Sequence, residues 1–587
     1  MKQFFKYVLA SMLGAFLSIL LMIFLGFMFI IGSLLSLGEE EKVNVKNNSI
    51  LHIQLKQTIN ERSAENPFEG LEEYGFETTI GLNTILESIE KAAKDPNIIG
   101  IYLDLNDVNA GLSTIEEIRN ALIQFKKSDK FIYAYSEFYS QKAFYLTSVS
   151  DSIFLNPSGL LELKGLSTQY TFFKNAFDKL EIKPEVIRVG TFKSAVEPYI
   201  SDRMSDSNKL QVSIYMQSLF DHMMKNIAEQ RKMNIDSVRA IAMQLKVRNA
   251  ADAVSHRLAD ALIYKDELLK KLAKASAQSS INDLNLISLD KYRKSAKVDV
   301  SISKNKIAVI YATGEINSGT SDENSIGSET LSKAIRKARL DESIKAIVLR
   351  VNSPGGSALA SDVIWREVIL AKKAKPFIVS MGDVAASGGY LISCAADTIV
   401  AQPTTITGSI GVFGILFNAE NFFKNKLGIT FDQVKIGEYA DLGNYTKPLS
   451  PSERAIIQNE VNRIYSDFTT KVAEGRKMDI NAVLTIAGGR VYTGADAKKI
   501  GLVDVLGTKE DAITIAAKKA KISDYKIVSY PEIANPFQKF MSKLSEDVKM
   551  YFMPEEYKSL LPYAKTFEQI KNNSGLQSRM LDYAEIN

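Results

Sequence analysis

Two strand ends rich in glycine and serine carry the chemistry of this chain. The apolar run IKAIVLRV (344–351) leads into Asn352-Ser353-Pro354-Gly355-Gly356, which reads as a buried strand ending in a turn with bare backbone N–H groups. A second strand, FIVSM (377–381), leads through Gly382-Asp383 to Ser387, with Gly388 and Gly389 behind it and the apolar helical run YLISCAA beyond. A serine at a strand-to-helix junction exposes its hydroxyl for nucleophilic attack. The backbone N–H groups at Gly355, Gly356 and Gly388 are the candidate oxyanion hole, which can receive the charge that such attack creates. Ser387 is therefore the candidate nucleophile. Serine beside glycine is ordinarily a turn residue. The pairing of two such strand ends, each suited to half of an acyl-transfer site, singles this one out.

The rest of the composition narrows the alternatives. At 587 residues the chain is too long for one core, and about 150 residues per domain suggests two to four. A net charge of +4 leaves no basic face for nucleic acid. The single cysteine, Cys394, excludes intrachain disulfides and thiolate metal clusters, and reads as a small buried hydrophobe. The three histidines, His52, His222 and His256, stand far in sequence from the glycine turns, so neither a Ser-His-Asp triad nor a metal site is expected from them.

Residues 7–36 carry no charge, enough length to cross a bilayer core about 30 Å thick. A cleavable leader has an apolar core of about 7–15 residues, so this segment reads as an anchor, within a membrane unit of residues 1–45. Lys2 and Lys6 precede it and Glu39, Glu40 and Glu41 follow. The positive-inside bias then places the N-terminus in the cytoplasm and the remaining chain across the membrane.

The soluble part repeats itself. GLNTILESIEKAAKDPNIIGIYLDLN (81–106) aligns without gaps on GSETLSKAIRKARLDESIKAIVLRVN (327–352), and AEQRKMNI (228–235) matches AEGRKMDI (473–480) at nearly the same offset. ADAVSHRLAD (251–260) likewise matches ADAKKIGLVD (495–504). This is a duplicated domain, one copy at 46–300 and one at 301–525, with a C-terminal extension at 526–587. Apolar strands alternate with amphipathic helices, as with Leu331, Ile335 and Ala338 at helical spacing, which predicts an α/β fold with a parallel sheet in each copy. In the extension, PFQKFMSKLSEDVKMYF has helical periodicity and is expected to pack on a neighbouring subunit rather than lie on the bilayer.

The copies differ where chemistry is concerned. SEFYSQKAFYL (136–146) stands opposite the Ser387 region, with Gln141 or Lys142 facing the serine position. Conversely RVGTFKSAVEPY (188–199) faces KIGEYADLGNY (435–445), which puts Lys193 opposite Ala440. One copy has a serine without a base and the other a lysine without a nucleophile. A joined site would use both.

NSPGGS, GDVAASGGY, TGSIGVFG and RVGTFKSAVEPY together resemble the signal peptide peptidase A family in its long duplicated form, membrane-anchored Ser-Lys proteases of the crotonase-like superfamily. The resemblance spans the anchor and both repeats, and implies two tandem crotonase/Clp-like α/β repeats. It implies Ser387 as nucleophile, Lys193 as general base and Ser409 as the hydroxyl orienting the lysine. It further implies a homotetramer at the bacterial inner membrane, facing outward, that hydrolyses remnant signal peptides and other apolar or unfolded peptides without metal or cofactor. Lysine serves as a base only when neutral, so its ordinary pKa of about 10.4 must fall by roughly 3 units, as burial among apolar groups can bring about. Two other readings compete: a crotonase-type acyl-CoA enzyme, which would use the glycines but not Ser387, Lys193 or the anchor, and a non-catalytic membrane scaffold.

Overall fold

The computed structural model describes residues 2–37, 43–62, 79–295, 303–321, 325–532 and 575–580. The first helix, Lys2–Leu37, contains a stretch, Lys6–Gly26, with mean hydropathy 2.6 that none of the other described residues covers. It is long and apolar enough to cross a membrane. The amphipathic helix proposed at 536–552 lies outside the described residues.

Each repeat is built on a sheet with the same strand order. In the first, Ala261–Leu262, Ser152–Leu161, Phe131–Tyr139, Ile98–Asp104, Ser49–Ile53 and Leu286–Ser288 lie side by side, all parallel. In the second, the equivalent positions are taken by Phe377–Ala386, Ile344–Ser353, Lys306–Thr313 and Lys526–Tyr530, flanked by Ile406–Gly408 and, antiparallel to it, Val491–Thr493. Thr398–Ala401 and Val505–Leu506 branch from Phe377–Ala386. Central strands are buried on both faces: in Ile344–Ser353 only Lys345 is exposed and Asn352 half-buried. That is why the sequence there is a continuous apolar run rather than an alternating one. The helix Ser328–Leu340 turns Leu331, Ile335 and Ala338 into the core, as their spacing predicts. Leu331 and Ile335 each contribute roughly 1.5–3 kcal/mol when removed from water, and the single methyl of Ala338 less.

Several contacts join the repeats. A third sheet runs Ser325–Gly327, Glu315–Asn317, Gly355–Ser357, Gly575–Arg579, Phe413–Asn418, Lys183–Arg188. Its last pair is an antiparallel ladder of six residue pairs between the first repeat (183–188) and the second (413–418). Behind it, Arg350 of the second repeat is fully buried and donates to Glu61 Oε2 at 2.9 Å and Glu117 Oε1 at 2.6 Å, both from the first repeat. Asp383 accepts from the Thr114 N–H (3.0 Å) and hydroxyl (2.6 Å) in the same helix as Glu117. The strand that ends at Ser387 is thus fastened to the other repeat.

Candidate active site

The serine strand is longer than the apolar run alone suggests, reaching Ala386, because Val384–Ala386 find a partner in Ile406–Gly408. Ser387 follows with φ 55° and ψ −115°, a left-handed conformation costly for any residue with a Cβ. Its N–H donates to Gly408 O at 2.8 Å and its carbonyl accepts from Leu391 N at 2.9 Å, which holds the kink. The helix beyond is a single turn, Gly388–Leu391; Cys394 lies after it, fully buried, with its thiol pushed up to about 12 by burial. The glycine turn likewise departs from expectation: Gly355–Ser357 is a short strand of the third sheet. Gly355 (φ +99°) has no room for a Cβ, which would stand 2.6 Å from the Gly388 nitrogen, so the two glycine stretches touch. The Gly355 N–H donates to Ser353 Oγ at 3.2 Å.

The lysine arrives from the other repeat. After Lys183–Arg188, Gly190 (φ +97°) packs so closely on Gly488 that any Cβ would collide with it, and the Phe192 N–H donates to Gly488 O at 3.0 Å. These contacts swing Lys193 inward. A Cβ on Gly489 would meet the Lys193 backbone at 2.6 Å, and one on Gly411 would stand 3.2 Å from its Cδ. The glycines at 411, 488 and 489 are therefore what lets this side chain pass. Gln211 steadies the turn by donating to Phe192 O at 3.1 Å and Ser194 Oγ at 3.0 Å.

Lys193 Nζ lies 2.8 Å from Ser387 Oγ, 3.1 Å from Ser409 Oγ and 3.1 Å from Ser409 O. All three residues are buried. Among the described residues no carboxylate pairs with this amine; the nearest in sequence, Glu197, accepts instead from Ser205 and Asn208. Burial without a counter-ion lowers the Lys193 pKa to about 7. A neutral amine has two N–H donors and one lone pair. The two Ser409 oxygens take the donors, which leaves the lone pair facing the Ser387 hydroxyl. Ser409 itself is held at φ 51°, its N–H bonded to Arg490 O at 2.7 Å.

The residues singled out in sequence thus come together: Ser387, Lys193 and Ser409 in direct contact, with Gly355, Gly356 and Gly388 alongside. His52 and His222 are occupied elsewhere, with Asp104 at 3.0 Å and Glu116 at 3.3 Å. Three things escaped sequence reading. One is Ser578, whose hydroxyl lies 3.0 Å from Ser387 Oγ. Another is the glycine cradle at 411, 488 and 489, of which the GG pair was the only available signal. The third is the counterpart of Ser387 in the first repeat, which by position between strand and helix is Ser140, one residue before Gln141. Ser140 has an ordinary φ of −63°, caps Ala143 and donates to Asp107 Oδ1 at 2.6 Å. Its hydroxyl caps a helix and is bound to a carboxylate rather than to an amine.

Comparison with known proteins follows the same lines. The pattern of Peptidase family S49 matches twice, over residues 124–279 and 369–523, and that of Clp protease over 305–406. Protease 4 of Salmonella typhi is 38% identical over 492 residues, covering 81% of this chain and 78% of the relative. Protease 4 of Haemophilus influenzae is 38% identical over 443 residues, 74% of this chain and 72% of the relative. The chloroplastic serine protease SPPA of Arabidopsis thaliana is 32% identical over 501 residues, with 84% and 72% covered. With both repeats matched and relatives aligned over most of their length, the chain belongs to peptidase family S49, as a tandem-repeat protease with a Clp-like α/β fold.

Proposed function

We propose that this protein is a membrane-anchored serine endopeptidase working through a Ser387–Lys193 dyad. The observation that carries this reading is the 2.8 Å contact between an amine from one repeat and a hydroxyl from the other, in a pocket whose burial brings the amine to about 7. Neutral Lys193, held by Ser409, accepts the Ser387 proton as Oγ attacks a peptide carbonyl. The N–H groups of Gly356 and Gly388 stabilise the tetrahedral oxyanion, while Gly355 supplies the bare surface that lets the carbonyl approach. The amine passes the proton to the departing nitrogen, and an acyl-enzyme remains.

Water then completes the cycle. A cavity of about 40 Å³ beside Lys193, lined by Tyr170, Gln211, Val212 and Tyr215, has room for it. Lys193 takes a proton from that water as it attacks the ester, then returns it to Ser387 Oγ as the acyl–Oγ bond breaks and the carboxylic acid leaves.

The apolar helix Lys2–Leu37 supports an anchor with its N-terminus in the cytoplasm of a bacterial cell and both repeats on the outer side of the inner membrane. A site held there suits apolar peptides released at the membrane, remnant signal peptides among them, and unfolded segments threaded through a homotetramer. Membership of a protease family speaks against the acyl-CoA and scaffold readings. The test is labelling by a fluorophosphonate: Ser387 should be modified, and both Ser387→Ala and Lys193→Ala should abolish labelling. Labelling that survives Lys193→Ala at the wild-type rate would overturn the choice of base.

A further inference from the structure

Lys193 and Ser409 are carried by different repeats, and one side chain spans the two backbones. Gln211 stands on the helix Asp206–Gln230 of the first repeat and is 3% exposed. Its amide nitrogen donates to Phe192 O at 3.1 Å, the carbonyl of the peptide group that leads into Lys193. Its amide oxygen accepts from the Val491 N–H at 3.3 Å. That N–H belongs to the same peptide group as Arg490 O, which accepts from the Ser409 N–H at 2.7 Å. A single amide thus lies between the backbone of Lys193 and the peptide group that fixes Ser409.

Its surroundings leave this amide little freedom. The nitrogen also lies 3.0 Å from Ser194 Oγ and 3.1 Å from Asn208 Oδ1, so three acceptors share its two N–H donors. Asn208 in turn donates to Glu197 at 2.9 Å, a buried carboxylate that also accepts from Ser205. Two helical turns beyond Gln211, the Ser218 hydroxyl lies 2.9 Å from that of Thr493, so one helix face is pinned twice to the strand Val491–Thr493. That strand pairs with Ile406–Gly408, whose last carbonyl accepts from the Ser387 N–H.

The duplication supplies the contrast. Ser205 and Ser450 cap equivalent helices of the two repeats, and AEQRKMNI and AEGRKMDI follow each at the same spacing. In that register Gln211 stands opposite Ile456, which is 40% exposed. The copy with Ala440 in place of Lys193 therefore has no amide at this position. Charge matters too, since Gln211 and Lys193 line one cavity. The charged groups around the turn are Arg188, which donates to Lys193 O at 3.3 Å, Arg490, whose guanidinium lies 5.3 Å over the Phe192 ring, and Glu197, engaged by Ser205 and Asn208. A carboxylate at 211 would favour the ammonium form of Lys193, which cannot act as a base.

We infer that Gln211 is a positioning residue: it sets the Lys193 turn against Ser409 across the repeat boundary, and does so with a neutral group. This role presupposes the Ser387–Lys193 dyad and adds a side chain that acts through the base rather than on the substrate.

The experiment uses the full chain with Gln211→Met, which keeps the size of the side chain and removes its hydrogen bonds, and with Gln211→Glu, which keeps the shape and adds charge. Each protein is titrated to completion with a fluorophosphonate, so that kcat on a fluorogenic peptide is counted per labelled Ser387. Gln211→Met should lose about tenfold in kcat per labelled site, with KM within about twofold of wild type and the pH midpoint of kcat/KM unmoved. Gln211→Glu should move that midpoint up by about one unit or more. Wild-type kcat in Gln211→Met, or a deficit that vanishes when counted per labelled site, overturns the positioning role while leaving the dyad intact. A midpoint unmoved in Gln211→Glu overturns the need for a neutral group, and with it the role as stated. Absence of labelling in wild type sinks the dyad reading, and this inference with it.

Discussion

Lys193 Nζ and Ser387 Oγ stand 2.8 Å apart although 194 positions separate them in sequence and they belong to different repeats. Groups that act as one unit do not lose activity additively. Ser387→Ala and Lys193→Ala should each lower kcat by about a thousandfold or more, and the double variant should lose no more than either single one. Steady-state kinetics on a peptide substrate checks this; additive losses would mean the two side chains act separately.

In the proposed dyad Lys193 works only uncharged, and burial lowers its pKa to about 7. Below that value the amine is protonated and cannot take the serine proton, so kcat/KM should rise with pH through about 7 and then level. A profile rising only above pH 9 would contradict a buried neutral amine.

The same burial has a stability consequence of opposite sense. Between the folded value near 7 and the unfolded value of 10.5 the unfolded chain binds one more proton, so this group's contribution to stability improves as pH rises through that window. Lys193→Met removes the penalty. It should raise the melting temperature at pH 7, by a free energy on the order of 4 kcal/mol, and raise it less at pH 9. Calorimetry at the two pH values decides; a variant less stable than wild type at pH 7 would refute it.

Ser409 contacts the amine through both its hydroxyl and its carbonyl, each at 3.1 Å. Ser409→Ala leaves the carbonyl in place. It should therefore lower kcat by about tenfold while KM stays near wild type, the mark of a positioning residue. A change confined to KM would place Ser409 in substrate binding instead.

Arg350 joins the repeats from a position with no exposure, bound to Glu61 and Glu117. Removing one partner of a buried ion pair leaves charge without compensation, so Arg350→Met should destabilise the protein by about 3–5 kcal/mol. Denaturant unfolding measures this. Stability unchanged within about 1 kcal/mol would show that the ladder between Lys183–Arg188 and Phe413–Asn418 is sufficient to hold the repeats together.

Much of this protein is written locally in its chain. The uncharged run 7–36 of the first helix, the apolar central strands and the amphipathic helices follow from local pattern, because each depends on residues a few positions apart. The duplication is visible as repeated text, and its asymmetry already divided the candidate nucleophile and the candidate base between the copies. What tertiary structure alone decided is where distant pieces meet. The glycine cradle at 411, 488 and 489 admits Lys193, Arg350 finds its two carboxylates across the repeat boundary, and the tail strand enters the groove beside Ser387. Backbone pairing between remote edges depends on register and open N–H and C=O groups rather than on side-chain pattern, so five residues such as Gly575–Arg579 leave no periodic trace to read.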